Sequence, residues 1–366
     1  MKRTSTNGRF SMGFTLVELM TAITIGLIVL GGAATVMVGA NKNYKVQEDL
    51  ARIQENARFA MEFLAREIRM AGYFGCMDNV SPVVDHVVGG AGDLFDTSNP
   101  IEGSESAANW APTGVAAPAN IVAGTDGITV RYLDPSTALN IDTPFMGQPA
   151  GNIKVELPPS GDTGLVQGDI IAVTDCATAD VFQISNSNPN AGVMVHNTGT
   201  GTSPGNANQP GLSGCPGANG HCLSKVYEDE AQILKLAAVR YFIGTTANGN
   251  PALFREQIVV VGGAAAPGNV EMVEGIENMQ ILYGEDFDGN GVPDQFVNAA
   301  AVTNWGLITG VRVGLSAASV DELGTRFDED HGDYDIDRDG TDDVTDPGDR
   351  RRRRIFTMTV LMRNLQ

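Results

Sequence analysis

Gly13-Phe14-Thr15-Leu16-Val17-Glu18 opens the stretch that decides the architecture of this 366-residue chain. Across residues 14–40 the one charged side chain is Glu18. At about 1.5 Å per residue this apolar run makes a helix of roughly 40 Å, enough to cross a bilayer. A short leader, residues 1–13, precedes it with Lys2, Arg3 and Arg9 and no acid. A secretory signal carries its small-residue cleavage site behind the apolar segment, whereas here the small residue stands in front. A cut after Gly13 therefore leaves the hydrophobic helix on the mature chain. A carboxylate inside a membrane helix costs about 2.5–3.5 kcal/mol on insertion scales, so Glu18 needs a partner, and the amine freed at Phe14 can supply one.

This arrangement resembles the class III signal of type IV prepilins. The resemblance implies cleavage by prepilin peptidase after Gly13 and methylation of the new amino terminus at Phe14. It also implies pairing of Glu18 with the amino terminus of a neighbouring subunit during assembly.

The formal charge is −20, and losing Lys2, Arg3 and Arg9 removes three positive charges, to −23. So acidic a surface repels DNA and anionic headgroups and suits cations or basic partners. Three basic residues before the span, against Lys42 and Lys45 after it, favour a cytoplasmic amino terminus. The 44 glycines and 17 prolines, with loops rich in Asn, Ser and Thr, point to short strands joined by long turns.

The helix continues past the membrane. Leu50, Ile53, Ala57, Met61, Leu64 and Ile68 recur at steps of three or four and draw one apolar stripe, while Glu48, Arg52, Glu55, Arg58, Glu62, Arg66 and Arg69 fill the other faces. No proline interrupts residues 14–72, so one continuous helix ending at Gly72 is expected. The strand candidates are 127–133, 152–157, 169–174, 181–185, 232–243, 253–261, 279–283, 306–316 and 354–363. The last two form an antiparallel pair interrupted by a long acidic insertion, and residues 89–119 and 186–220 read as irregular. The expected fold class is α+β, a long amino-terminal helix packed on a large antiparallel β-rich domain. Its divisions are a leader 1–13, a membrane or filament-core helix 14–40, an amphipathic continuation 41–72 and a globular domain 73–366.

Four cysteines in a chain whose bulk lies outside the cytoplasm allow three disulfide pairings. Cys215 and Cys222 bracket a turn-rich stretch that a local bridge can close. Cys76 would then pair with Cys176 and tie the helix end to the sheet. A metal site from Cys215, His221 and Cys222 lacks a fourth ligand at recognisable spacing.

Two acidic loops carry the most specific chemistry beyond the leader. In residues 286–297, Asp286, Asp288, Asn290 and Asp294 fall at positions 1, 3, 5 and 9, with Gly291 at 6 and the Val292 carbonyl at 7. This is the spacing by which a tight loop wraps a hard cation, with Val297 where an EF-hand has its bidentate glutamate. In residues 335–346 the series is Asp335, Asp337, Asp339, Thr341, Asp343 and, at position 12, Asp346. Residues 328–349 hold eleven acids against one arginine, a density that calls for cations. Calcium is the expected ion at one or both loops.

Five consecutive arginines, residues 350–354, follow directly. With no interleaved aromatics in a strongly negative chain, they suit neutralisation of nearby acids or docking of another subunit better than nucleic acid. His86, His196, His221 and His331 lie in or beside loop-like segments, are expected at the surface, and complete no catalytic motif; no enzyme is expected.

Val273-Glu274-Gly275-Ile276-Glu277-Asn278-Met279, leading to Tyr283-Gly284 and the first Asp loop, and the closing strand 356–364 resemble the PilW family of type IV minor pilins. The resemblance implies a subunit that joins other minor pilins and the major pilin, primes assembly and caps the fibre tip, often with a large tip adhesin. It places the protein in the inner membrane before assembly and at the pilus tip afterwards, in support of adhesion or twitching motility. A minor pseudopilin of a type II secretion system shares the leader, Glu18 and the calcium habit. A stand-alone membrane-anchored calcium-dependent adhesin is the reading of another class, and it would keep residues 2–13.

Overall fold

A computed structural model describes residues 13, 15–77, 82–88, 94–106, 118–198, 201–207, 221–320, 333–343, 349 and 351–362. The chain divides into two compact units, Met1–Arg52 and Ile53–Gln366. One helix, α1, runs from Leu16 to Met70.

In the first unit α1 carries no charge from Leu19 to Ala40, and among the described residues it is the helix long and apolar enough to cross a membrane. Its few hydroxyls are silenced within the helix. Thr21 donates to the Val17 carbonyl at 3.0 Å, Thr24 to Met20 at 2.8 Å and Thr35 to Gly32 at 2.7 Å. Such back-bonding gives each of these hydroxyl donors a partner inside the helix, so none is left unpaired toward hydrocarbon.

In the second unit the stripe turns inward. Ile53, Ala57, Ala60, Leu64 and Ile68 are buried, and Met61 packs partly beside them. Burial of an Ile or Leu side chain contributes about 1.5–3 kcal/mol, so this face outweighs helix propensity as the reason residues 53–70 stay helical. Asn56 Nδ2 donates to the Glu274 carbonyl at 2.9 Å, and Tyr132 Oη donates to Glu67 at 2.6 Å. The helix ends where the sequence expects it to: Gly72 adopts φ 73°, a left-handed cap that any side chain would strain.

Fourteen strands follow in the described residues: β1 Val83–Asp85, β2 Ile101–Ser104, β3 Gly127–Asn140, β4 Ile153–Lys154, β5 Ile170–Thr174, β6 Ala179–Gln183, β7 Val193–Met194, β8 Gln232–Thr245, β9 Pro251–Val261, β10 Ala264–Glu274, β11 Ile276–Glu285, β12 Gln295–Val297, β13 Ile308–Ala318 and β14 Arg353–Leu361. The larger sheet runs β1-β6-β5-β8-β3-β2, with β9 also on β8 and β10 on β9. The smaller runs β12-β11-β13-β14, and β4 pairs with β7 apart from both. One core joins the α1 stripe to Ile128, Val130 and Tyr241 of the larger sheet and to Ile281, Val311 and Val313 of the smaller. The α+β arrangement is therefore the one expected, a long helix packed on β-rich sheets, antiparallel apart from β1, which runs parallel to β6.

Several expectations need correction. The stretch 89–119 was expected to be irregular, yet it contains β2, buried throughout and paired to β3; residues 89–93 and 107–117 of it lie outside the described residues. The stretch 186–220 contains β7, and 199–200 and 208–220 lie outside the described residues. Strand 152–157 shortens to Ile153–Lys154. β10 was not anticipated because Ala-Pro-Gly-Asn carries no strand signal; it exists by pairing with β9 across the turn Gly262-Gly263, both with positive φ. β14 pairs antiparallel with β13 along its whole length, as expected, from Gly310 opposite Leu361 to Ala318 opposite Arg353.

Candidate functional site

Glu18 sits in the first turn of α1 and is bound to its own chain. Its Oε2 accepts from the Thr15 amide at 3.0 Å and from the Thr15 hydroxyl at 2.8 Å, while the Thr15 hydroxyl oxygen accepts from the Glu18 amide at 3.3 Å. This is a capping box, legible in Thr-Leu-Val-Glu, that satisfies amide donors a helix start otherwise leaves open. Gly13 is described and exposed, and Phe14 lies outside the described residues.

The first acidic loop closes the β11–β12 hairpin, since Glu285 pairs with Gln295. Carboxylate oxygens of Asp286, Asp288 and Asp294 lie within 4.8 Å of one another. The Asp286 oxygens also accept from the Gly289 amide at 2.8 Å and the Gly291 amide at 2.7 Å, which pulls the loop around that carboxylate. Asp294 Oδ2 accepts from the Phe287 amide at 2.8 Å. Asn290 Oδ1 instead accepts from the Val292 amide at 2.8 Å. Just before the loop, buried Glu285 accepts from Gln295, the Thr303 amide and hydroxyl and the Asn304 amide, which anchors the hairpin base.

The second loop lies within the insertion between β13 and β14 and brings Asp335, Asp337 and Asp343 together in the same way. Asp339 turns its carboxylate to the Thr341 amide and hydroxyl, and Asp346 lies outside the described residues. The loop lies against the smaller sheet: Thr357 donates to the Ile336 carbonyl at 3.3 Å, and a Cβ at Gly314 would meet that carbonyl oxygen at 2.2 Å. Only glycine permits this approach.

Two carboxylates distant in sequence join the electrostatics of this loop. Burial, then Asp343 and Asp339, push Asp337 up to about 6. Burial, then Glu105 and the loop acids Asp337 and Asp343, push Asp126 up to about 8, although its carboxylate accepts from the Ile281 amide. Burial likewise raises Glu105, with Asp343 and Asp339 adding to it. No spacing rule could have found Glu105 and Asp126, because the ends of β2 and β3 reach the loop only through sheet packing. Both triads offer hard oxygen donors, the set that suits calcium or magnesium and disfavours softer metals.

Cys76 and Cys176 form a disulfide across a separation of 100 residues, with Cα atoms 4.7 Å apart. Cys222 is also disulfide-bonded, which takes its sulfur out of any metal site with His221; Cys215 lies outside the described residues. In the arginine run, Arg353 is buried and clamps Asp349 through Nη1 at 2.7 Å and Nη2 at 2.6 Å, with Nε on Glu277 at 2.5 Å. This arginine neutralises neighbouring acids, one of the two roles expected of the run.

The histidines depart most from expectation. His86, His196 and His221 are buried rather than at the surface, gathered around Asp180 of β6, because strand pairing folds their three loops onto one sheet end. His331 lies outside the described residues. Ser224 Oγ donates to Asp180 at 2.6 Å, and so does Tyr227 Oη at 2.6 Å. With its hydroxyl turned to the carboxylate and not to an imidazole, Ser224 is not set up as an activated nucleophile.

Comparison with curated proteins and with solved structures returns no match. Residues 240–364 match the family model PilW, Type IV Pilus-assembly protein W. The match takes in the end of β8, both acidic loops and the whole smaller sheet. The carboxy-terminal third of this chain is thus similar to type IV pilus-assembly protein W.

Proposed function

We propose that this protein is a minor pilin of a type IV pilus, assembled through its amino-terminal helix into the complex that primes the fibre and caps its tip. The observation that carries the reading is a single carboxylate in the first turn of a helix otherwise uncharged up to Ala40, on a chain whose residues 240–364 match the PilW family model. Prepilin peptidase cuts after Gly13, and the new amine of Phe14 is methylated. In the monomer Thr15 holds Glu18; in the fibre the carboxylate exchanges that bond for the cationic amino terminus of a neighbour, a stronger partner in lipid. The other minor pilins and the major pilin supply those neighbours. The role is structural, and a tip adhesin or adhesion and twitching belong to the same proposal.

Calcium is the ion we assign to the two triads. Asp286, Asp288 and Asp294 would hold it at the β11–β12 hairpin, and Asp335, Asp337 and Asp343 at the inserted loop. A bound divalent ion supplies the positive charge that crowded carboxylates lack.

Mass spectrometry of the amino-terminal peptide tests the processing step, with a peptide beginning at methylated Phe14 as the expected result. Retention of residues 2–13 would overturn it and favour a stand-alone adhesin. Deletion of the gene is expected to abolish twitching; loss of type II secretion instead would identify a pseudopilin.

A further inference from the structure

The hydrogen bonds around the buried histidines assign their protons one by one. His196 Nε2 lies 2.8 Å from the Gly151 carbonyl, which can only accept, so this nitrogen carries the hydrogen. In a neutral ring His196 Nδ1 is then the acceptor of the 2.9 Å contact with His221 Nδ1, and His221 Nδ1 donates. That leaves His221 Nε2 a bare lone pair, and among the described residues this buried atom has no hydrogen-bond partner. His86 Nε2 donates to Asp180 at 2.6 Å, and its Nδ1 is likewise unpartnered. The rings are stacked edgewise, with His221 4.9 Å from His86 and 5.0 Å from His196 between centroids.

This arrangement accepts no further proton without breaking. A proton on His196 Nδ1 would set one N–H against another, and a proton on His221 Nε2 would place a cation in the interior with no acceptor among the described residues. Residues 221–227 form a short strap fastened at several points, to β6, to the turn between β5 and β6 and to the loop before β4. The Leu223 amide donates to the Pro149 carbonyl at 3.0 Å, the Ser224 amide and hydroxyl and the Tyr227 hydroxyl donate to Asp180, and Lys225 pairs with Asp175.

We propose that residues 221–227 are an acid-released latch, closed over β6 while His196 and His221 share one proton between their Nδ1 atoms and opened when either ring becomes an imidazolium. The latch stands apart from the pilus assignment and from both acidic loops.

The electrostatics agree with the geometry. Burial, then His196 and His86, hold His221 down at about 3 against an ordinary 6.5, and burial lowers His196 as well. The open strap therefore binds protons that the closed one refuses. Its population is constant above pH 6.5 and rises as pH falls below it, by up to about ten-fold per pH unit for each histidine. Asp180 is held below its ordinary value by His86, Ser224 and Tyr227 despite burial, so it stays charged across this window. Asp175 is lowered too, with Lys225 the largest influence against its burial. Asp85, beside His86, has the opposite sign: burial pushes it up to about 6, so the fold binds its proton and gains from acid. Global stability thus mixes opposing contributions, and only a local measurement isolates the latch.

Hydrogen exchange followed by mass spectrometry on the full chain in detergent micelles, at pH 7.5 and 5.0 and corrected for intrinsic rates, provides it. Protection of the 221–227 peptide is expected to fall at least ten-fold at pH 5.0 while that of β8 is unchanged. His221→Phe keeps the buried bulk without the titrating ring, and His196→Gln can still donate to Gly151 and accept from His221; each is expected to flatten the pH dependence. Equal corrected protection of the wild-type strap at both pH values would overturn the proposal, whether or not the variants fold. So would an undiminished pH dependence in both variants.

Discussion

Thr15 and Glu18 satisfy one another at the start of α1, the threonine hydroxyl accepting from the glutamate amide at 3.3 Å and the glutamate carboxylate accepting from the threonine amide at 3.0 Å. The capping role and the proposed assembly role of Glu18 are separable, because glutamine caps as glutamate does but carries no charge. Glu18→Gln is expected to keep the helix content of the chain in detergent, measured by circular dichroism, while losing incorporation into fibres. Fibres that take up the glutamine variant as readily as the wild type would show that charge pairing with the Phe14 amine does not draw the subunit in.

The disulfide between Cys76 and Cys176 links the turn after α1 to the turn between β5 and β6. Replacing both cysteines by serine is expected to lower unfolding free energy by about 2–5 kcal/mol. Chemical denaturation of the full chain in detergent reads this directly, and an unchanged midpoint would remove the bridge from the list of stabilising features.

Leu64 is fully buried where α1 meets both sheets. Leu64→Ala is expected to cost about 2–5 kcal/mol from lost transfer energy and the cavity left behind. An exposed position on the same helix, Arg58→Ala, serves as the control and is expected to change stability by about 0.5 kcal/mol or less.

Arg240 of β8 and Glu256 of β9 form a buried ion pair at 2.6 Å. Burial raises the glutamate and lowers the arginine, and their mutual attraction opposes both shifts. Glu256→Ala would leave a buried guanidinium without its counter-charge, at about 3–5 kcal/mol. The double variant Arg240→Met with Glu256→Leu is expected to recover most of that loss, and failure to recover would mean the pair does more than balance its own desolvation.

Calcium at a hundred times its dissociation constant is expected to stabilise the chain by about 2.7 kcal/mol for one site, seen as a higher melting temperature. Gly314→Ala offers a test that spares every carboxylate. A methyl group there would displace the Ile336 carbonyl by which the second loop rests on β13, so calcium affinity should fall at that loop alone. No thermal shift at millimolar calcium would count against both sites.

Much of this protein is written locally. The uninterrupted apolar run, the stripe from Ile53 to Ile68, the glycine stop at Gly72 and the Asp-x-Asp spacing of both loops follow from helical periodicity and turn chemistry, which act over a few residues. Strand β10 and strand β2 were hidden because their residues have little strand preference of their own and are extended through pairing with β9 and β3. The histidine cluster was hidden for a related reason. His86, His196 and His221 are far apart in sequence and each looks like a loop residue; the folding of three connections onto β6 alone excludes water from them and sets their protons. Glu105 and Asp126 reach the second acidic loop in the same manner. Short-range patterns determined the helix, the cap and the acidic loops, whereas packing over long sequence separations decided which polar groups are buried together, because burial is a property of the assembled sheets.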